Sequence, residues 1–510
     1  MYIGAWDILE LIDDITMTFT SGYFLIFFAV VILMYYMVSA KDRWAVLLIG
    51  SLLFGLVGGG IQIILYPLVM TSLVYSAAII IENTDKKERK KRRFFFTLIV
   101  LILIAVLTLV KCDVKFNLKF MSIVFPIGIS YYTFSMISYL ADIYWGKDKA
   151  ERNLFRLILF IIYFPKMIQG PISRHKALAQ QLAEGHYFCY QDFCFGLQLM
   201  IWGFFKKLVI SERAGIVVSQ VVDHYENYGG GILFITIMLS AVQVYCDFSG
   251  YMDIAIGASQ TLGIRLEQNF DHPFFSKSAA EFWRRWHITL GTWFKDYLYM
   301  PLVISPRLIK LSGWIRKHIG KQVGKAVMTV VPLTVVWILT GLWHGTGLNY
   351  IVWGIYWGSI IIFSTLCNKR IKWFTEWLHI DTQSSSWKMF QMVRTFLLFS
   401  FGRLITVPGN LGVSIEILKK FVTDSRIWEL VDGTIYTLGL DRINFQLMLV
   451  SIGILWIVGI LQEKGKIREG VAKWNFVFRC LFYCAAIWSV MVFGMYGPDY
   501  DANAFLYMNF

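Results

Sequence analysis

Two histidines have settings that suit chemistry. His287 sits in Ser276-Lys-Ser-Ala-Ala-Glu-Phe-Trp-Arg-Arg-Trp-His-Ile-Thr-Leu-Gly-Thr-Trp-Phe-Lys-Asp-Tyr297, and His344 in Gly341-Leu-Trp-His-Gly-Thr-Gly347. An imidazole titrating near neutrality can take a proton from a hydroxyl acceptor and return it to a leaving thiolate, the proton traffic that acyl transfer requires. His344 lies between glycines at the end of an apolar run, where backbone can open and a ligand can come close. If the two segments meet, His287 and His344 could face one pocket as base and polariser. Arg284, Arg285 and Lys295 flank the first segment with positive charge, as suits a helix at a membrane boundary or over an anionic ligand.

The elements that carry these residues read as helices. Ser278 followed by Glu281 is a capping-box start. Trp283, Trp286, Leu290, Trp293 and Tyr297 then recur at three- and four-residue steps, so they and His287 share one helical face. The second histidine ends a run from Thr329. His175 follows the turn at Gly170-Pro171 and reads as loop, while His186, His224, His272, His318 and His379 read as structural or solvated. None of the eight histidines has metal-ligand spacing, and no metal is expected. Serine-hydrolase elbows, P-loops and dinucleotide fingerprints do not occur.

Composition sets the environment. Of the 510 residues, 57% are hydrophobic and 16% charged, and the mean hydropathy is +0.57, outside the soluble range. The fold class is all-α: a polytopic membrane protein of about 11–13 helices, some re-entrant, read as one domain over residues 1–510. Apolar runs begin near residues 21, 44, 61, 94, 120, 153, 193, 231, 326, 348, 389, 443 and 476. The segments 153–170 and 251–264 are the weakest spans. The net charge of +14 is carried in loops, where it signals orientation, and nucleic acid is not an expected partner. The dense basic loop 82–93 and the loop before the last span are expected in the cytoplasm, so the acidic N-terminus and the tail 497–510 are expected outside. The N-terminal segment lacks the basic start of a cleavable signal. Seven cysteines show no Cys-x-x-Cys pair.

Several blocks resemble one family. Glu281-Phe-Trp-Arg-Arg-Trp-His through Tyr-Met-Pro-Leu302, Gly341-Leu-Trp-His-Gly345 with Trp353-Gly354, Phe125-Pro-Ile-Gly-Ile-Ser-Tyr-Tyr-Thr-Phe134 and Phe164-Pro-Lys-Met-Ile-Gln-Gly-Pro171 are similar to the membrane-bound O-acyltransferase (MBOAT) family, in the branch of the alginate O-acetyltransferase. The resemblance implies a ring of tilted helices around a central tunnel, with His344 as catalytic histidine and His287 as the second polar position. It implies that an acyl group, typically from acetyl-CoA, passes from the cytoplasm outward to O-acetylate an exported polysaccharide. Arg284, Arg285 and Lys295 then become candidates for the phosphates of coenzyme A. An outer-face acetyltransferase of SGNH-hydrolase type is the expected partner.

The ending Phe505-Leu-Tyr-Met-Asn-Phe510 is similar to that of the small companion peptide of teichoic-acid D-alanylation, which makes Tyr507 an acyl-relay candidate. Val303-Ile-Ser-Pro-Arg307 and Asn349-Tyr350 depart from the alginate pattern. The acceptor therefore stays open among teichoic acid, peptidoglycan, cellulose and capsule sugars, and His344 stays open as base, acyl carrier or orienter. The rival reading is a proton-coupled transporter or flippase, which calls for paired carboxylates at mid-membrane depth.

Overall fold

The computed structural model describes residues 17–116, 128–465 and 467–496. Helices dominate, and among the described residues nine are long and apolar enough to cross a membrane. Many large apolar side chains remain exposed on them, and none of the Phe476–Phe493 helix is buried, as expected where lipid rather than protein is the neighbour.

The chain folds into two compact units. One takes residues up to Lys207, Phe248–Gln268 and the chain from Arg468; the other takes Leu208–Asp247 and Asn269–Ile467.

In the first unit, the Arg43–Asn83 helix runs 41 residues, about 60 Å at 1.5 Å per residue and so twice a hydrocarbon core. It breaks at Gly59 and Gly60. Gly60 adopts φ +76° with ψ 178°, a region open only to glycine. The apolar runs expected at 44–60 and 61–81 are its two halves. The weak span at 153–170 is two short helices, Leu154–Ile162 and Phe164–Met167, followed by buried irregular chain.

The segment 251–264 is not a separate span. It belongs to a continuous Gly230–Thr261 helix, which carries Asp247 and Asp253 in its interior. Within the first unit, Asp253 Oδ2 lies 2.8 Å from Lys206 Nζ. The same ammonium donates to Ser249 Oγ at 2.8 Å. Lys206 lies in a π-helical stretch, Phe205–Ser211, of the preceding span.

In the second unit, helices Lys321–His344 and Leu348–Trp377 form an antiparallel pair joined by a three-residue turn at Gly345–Gly347. The long amphipathic helix expected from Ser278 through Tyr297 is broken. Ala279–Arg285 stops, His287 turns back, and Ile288–Phe294 begins afresh before a π-helical Lys295–Tyr299. The start is as expected: Ser278 Oγ accepts from Glu281 N at 3.2 Å.

Candidate active site

His287 is shaped by a crossing of two chain segments in the second unit. Asp271 N donates to Arg285 O and Ile288 N to Asn269 O, both at 2.9 Å, so 269–271 lies antiparallel to 285–288. The crossing turns Trp286 inward, where its ring stacks on Phe282 at 5.4 Å and meets Phe399 at 4.8 Å. His287 absorbs the turn by adopting φ 45°, ψ 52°, a left-handed conformation that costs a side-chain-bearing residue about 1–2 kcal/mol. Such strain tends to collect at functional positions.

The same crossing places Asn269 under the imidazole. Asn269 Oδ1 accepts from Thr289 N at 3.1 Å and Thr289 Oγ1 at 2.9 Å. A backbone N–H can only donate, so this atom is the amide oxygen, and His287 Nδ1 at 3.1 Å from it carries the proton. Nε2 is thereby left with the lone pair, the form a general base needs. His287 and Asn269 are 3% and 0% exposed. Burial disfavours the imidazolium and pushes His287 down to about 3, so the ring is neutral at physiological pH.

His344 is the last residue of its helix and is buried. Its ring lies 4.6 Å from that of Trp343 and 4.7 Å from Trp353. The His287 ring lies 5.8 Å from the Trp343 indole. The structure thus brings the two histidines to one tryptophan, from segments far apart in sequence.

Glycines set the helix pair that carries His344. A Cβ on Gly341 would meet Tyr350 O at 2.4 Å, and one on Gly354 would meet Trp337 O at 2.5 Å. Backbone therefore touches backbone, and Gly345 is covered by the Tyr350 ring. The close approach these glycines permit is to the neighbouring helix. Behind the histidines, Trp283 meets Trp337 and Trp357 at 5.1 Å and Trp353 at 5.6 Å, an aromatic wall that keeps the surroundings apolar.

The flanking cations divide. Arg285 is held by Glu463 at 2.5 Å and Glu281 at 3.1 Å, whereas Arg284 and Lys295 are exposed. Asp271, His272 and Glu463 gather with ligand atoms within 4.8 Å of one another. Arg285 supplies positive charge to that group and His272 Nε2 already meets Gln462 Oε1 at 2.7 Å, so the contacts are those of an ion-pair network. Tyr507 lies outside the described residues. Sequence reasoning missed Asn269 and Trp343 as site residues. Asn269 stands in the polar run Glu267-Gln-Asn-Phe-Asp271, with no periodicity to distinguish it from loop.

Comparison with known proteins adds an independent line. Residues 148–310 match the family model described as "MBOAT, membrane-bound O-acyltransferase family", a stretch that includes His287 and stops short of His344. The chain is 34% identical over 295 residues to "Probable alginate O-acetylase AlgI" of Pseudomonas aeruginosa, covering 57% of this chain and 50% of that protein. It is 29% identical over 270 residues to "Peptidoglycan O-acetyltransferase" of Helicobacter pylori, 48% of each. It is 28% identical over 254 residues to "Teichoic acid D-alanyltransferase" of Bacillus subtilis, 48% of this chain and 61% of that one. The chain spans about half the length of the alginate relatives it matches. The family-model match over residues 148–310, the helical membrane architecture and the shared blocks agree: the chain is similar to the membrane-bound O-acyltransferase family, in its alginate O-acetylase-like branch.

Proposed function

We propose that the protein is a membrane O-acyltransferase that moves an acetyl group from cytoplasmic acetyl-CoA across the membrane for O-acetylation of an exported or cell-surface polysaccharide. The observation that carries this reading is the pair of buried histidines on one tryptophan, with the His287 tautomer held by Asn269. In the proposed reaction an imidazole Nε2 takes the proton of an acceptor hydroxyl as its oxygen attacks the thioester carbonyl. The C–S bond then breaks, and the coenzyme A thiolate leaves and takes up a proton. The apolar wall excludes water, which would otherwise compete as acceptor. His344, between Trp343 and Trp353, is assigned the reacting position, and His287 the polarising one.

Tyr507 is proposed as the first acceptor, passing its acetyl group to an outer-face transferase of SGNH-hydrolase type. Arg284 and Lys295, exposed and cationic, remain the better candidates for the phosphates of coenzyme A, since Arg285 is engaged by two carboxylates.

The test is release of free coenzyme A from acetyl-CoA by purified protein in detergent, with an acetyl mark sought on Tyr507 by mass spectrometry. His344→Ala should lower release at least about 100-fold, the size of a lost general acid–base step. Tyr507→Phe should lose the mark. Release by His344→Ala equal to that of the wild type would sink the assignment, and an unmarked Tyr507 in a releasing wild type would sink the relay.

A further inference from the structure

The first unit holds a second polar centre, in the segment from Phe164 to His175, which the proposed reaction does not use. Chain from Ile168 to Arg174 is irregular, and almost all of it is buried. Irregular backbone inside a membrane protein persists where it is enclosed by protein or lines a polar cavity. The side chains of this segment favour the second case. Lys166, Gln169 and His175 are 4%, 1% and 8% exposed. Lys166 Nζ, both polar atoms of the Gln169 amide and His175 Nε2 find no hydrogen-bond partner among the described residues.

These groups are gathered by local structure. Gly170 N donates to Lys166 O at 3.2 Å, and the turn so closed puts residues 166 and 169 on one side. Lys166 Nζ stands 4.0 Å above the Phe160 ring, and the His175 imidazole meets the same ring at 5.1 Å. His175 Nδ1 lies 2.8 Å from Asp148 Oδ2, so Nδ1 carries a proton and the ring is oriented with Nε2 pointing away from the carboxylate. Glu267, whose charge acts on Lys166, itself accepts from the hydroxyl of Ser173. Burying such groups without a partner is costly, which favours a ligand that supplies one.

The imbalance identifies the ligand class. The lysine ammonium and the glutamine amide bring five N–H donors against two acceptors, the Gln169 carbonyl and the His175 Nε2 lone pair, which can take the P–OH of a hydrogen phosphate. A donor-rich, cationic, enclosed site is complementary to an oxyanion. We infer that the Phe164–His175 segment forms an oxyanion-binding site, with Lys166, Gln169 and His175 contacting a phosphate group. Asp148 is the positioning residue that aims His175. Burial pushes Lys166 down to about 7, with the charge of Glu267 acting against it, and a bound oxyanion would hold it charged.

The site lies on an identifiable side of the first unit. Asp148 belongs to a loop whose Arg152 pairs with Glu82, and Tyr144 O accepts from Arg92 at 3.0 Å. That loop therefore packs on the basic 82–93 stretch, which the charge rule assigns to the cytoplasm. Phosphate there is offered by a soluble nucleotide-thioester, by free phosphate or by an anionic lipid headgroup.

Binding to the full-length protein separates these sources. Inorganic phosphate and free coenzyme A are titrated against protein in neutral detergent at low salt, following the unfolding temperature. Parallel nanodiscs are made with and without phosphatidylglycerol. Saturable stabilisation by at least one probe is expected, with the half-saturating concentration raised at least tenfold in Lys166→Met and in Gln169→Leu. Exposed Lys149→Met should match the wild type. Stabilisation by coenzyme A but not phosphate assigns the site to a nucleotide-thioester, and stabilisation confined to phosphatidylglycerol discs assigns it to lipid. The proposal is overturned if no probe stabilises the wild type, or if both variants fold and respond as the wild type does. His344→Ala should bind normally, so a failure of the acyl-transfer reading leaves this test intact.

Discussion

Asn269 decides what His287 can do. Its Oδ1 accepts from three donors at once, His287 Nδ1, Thr289 N and Thr289 Oγ1, and so fixes tautomer, ring orientation and the left-handed turn together. Replacement by leucine would leave these buried donors without their acceptor, at about 1–3 kcal/mol each. Asn269→Leu should therefore lower both the unfolding temperature and the rate of coenzyme A release, the rate by about 10- to 100-fold, as for partners that orient a reactive histidine. Asn269→Asp is the sharper probe. A carboxylate beside the ring favours imidazolium, so the His287 pKa should rise from its low value toward or above 6.5. In the wild type, protonation of His287 should cost activity only far below neutrality. In the Asp variant the acid limb of the pH–rate profile should move up toward neutral pH, with activity recovered on the alkaline side. Superimposable profiles would show that His287 takes no proton-dependent part.

At the scale of elements, the site depends on a helix pair that only glycines allow. Gly341 and Gly354 face backbone carbonyls across the Lys321–His344 and Leu348–Trp377 contact. Gly341→Ala should force the helices apart, destabilise the protein by about 1–3 kcal/mol as overpacking does, and lower activity by moving His344 from Trp353. Gly453→Ala, where nothing lies within 4 Å of the added carbon, should be neutral or stabilising by up to about 1 kcal/mol. Melting temperatures of the two variants in one detergent make the comparison.

The flanks of His344 were legible as special in the sequence, although the close neighbour turned out to be Tyr350 and the facing helix. The break at His287 was not legible. Trp283, Trp286 and Leu290 keep helical spacing straight through it, and the cause is a pairing with residues 269–271 that periodicity cannot reveal. Lys206 and Asp253 were hidden differently: they lie far apart in sequence, and only the fold shows that they pair with one another inside long helices. Lys166 was legible only as a blemish in a weak span. That a buried segment would collect three unpaired polar groups depends on packing that no local pattern encodes.

At the scale of the whole chain, the charge rule yields an orientation for each unit that can be tested. In the first unit, the Lys41–Arg43 turn meets the loop before the Tyr190 span, where Arg43 donates to His186 O. In the second, Lys420 Nζ donates to Tyr225 O at 3.1 Å and Tyr228 O at 2.9 Å, tying the 224–229 loop to the chain that leads into the Arg442–Lys464 helix. That helix, with 23 residues, is about 35 Å long and crosses a bilayer once. Its far end is the basic stretch that includes Lys464, beside which His272 and Arg285 bind Gln462 and Glu463. By the positive-inside rule Lys464 and the 82–93 loop are expected in the cytoplasm, and the Tyr225 loop outside. On that expectation His287, two residues from Arg285, would lie toward the cytoplasmic end, within reach of the proposed soluble thioester. Single cysteines in a background freed of the seven native ones test this. Glu226→Cys should react with a membrane-impermeant maleimide in intact cells, whereas Lys87→Cys and Lys464→Cys should react only after permeabilisation. Labelling of Lys464→Cys in intact cells would turn the second unit over, place the His287 end outside, and remove the cytoplasmic donor from the reaction.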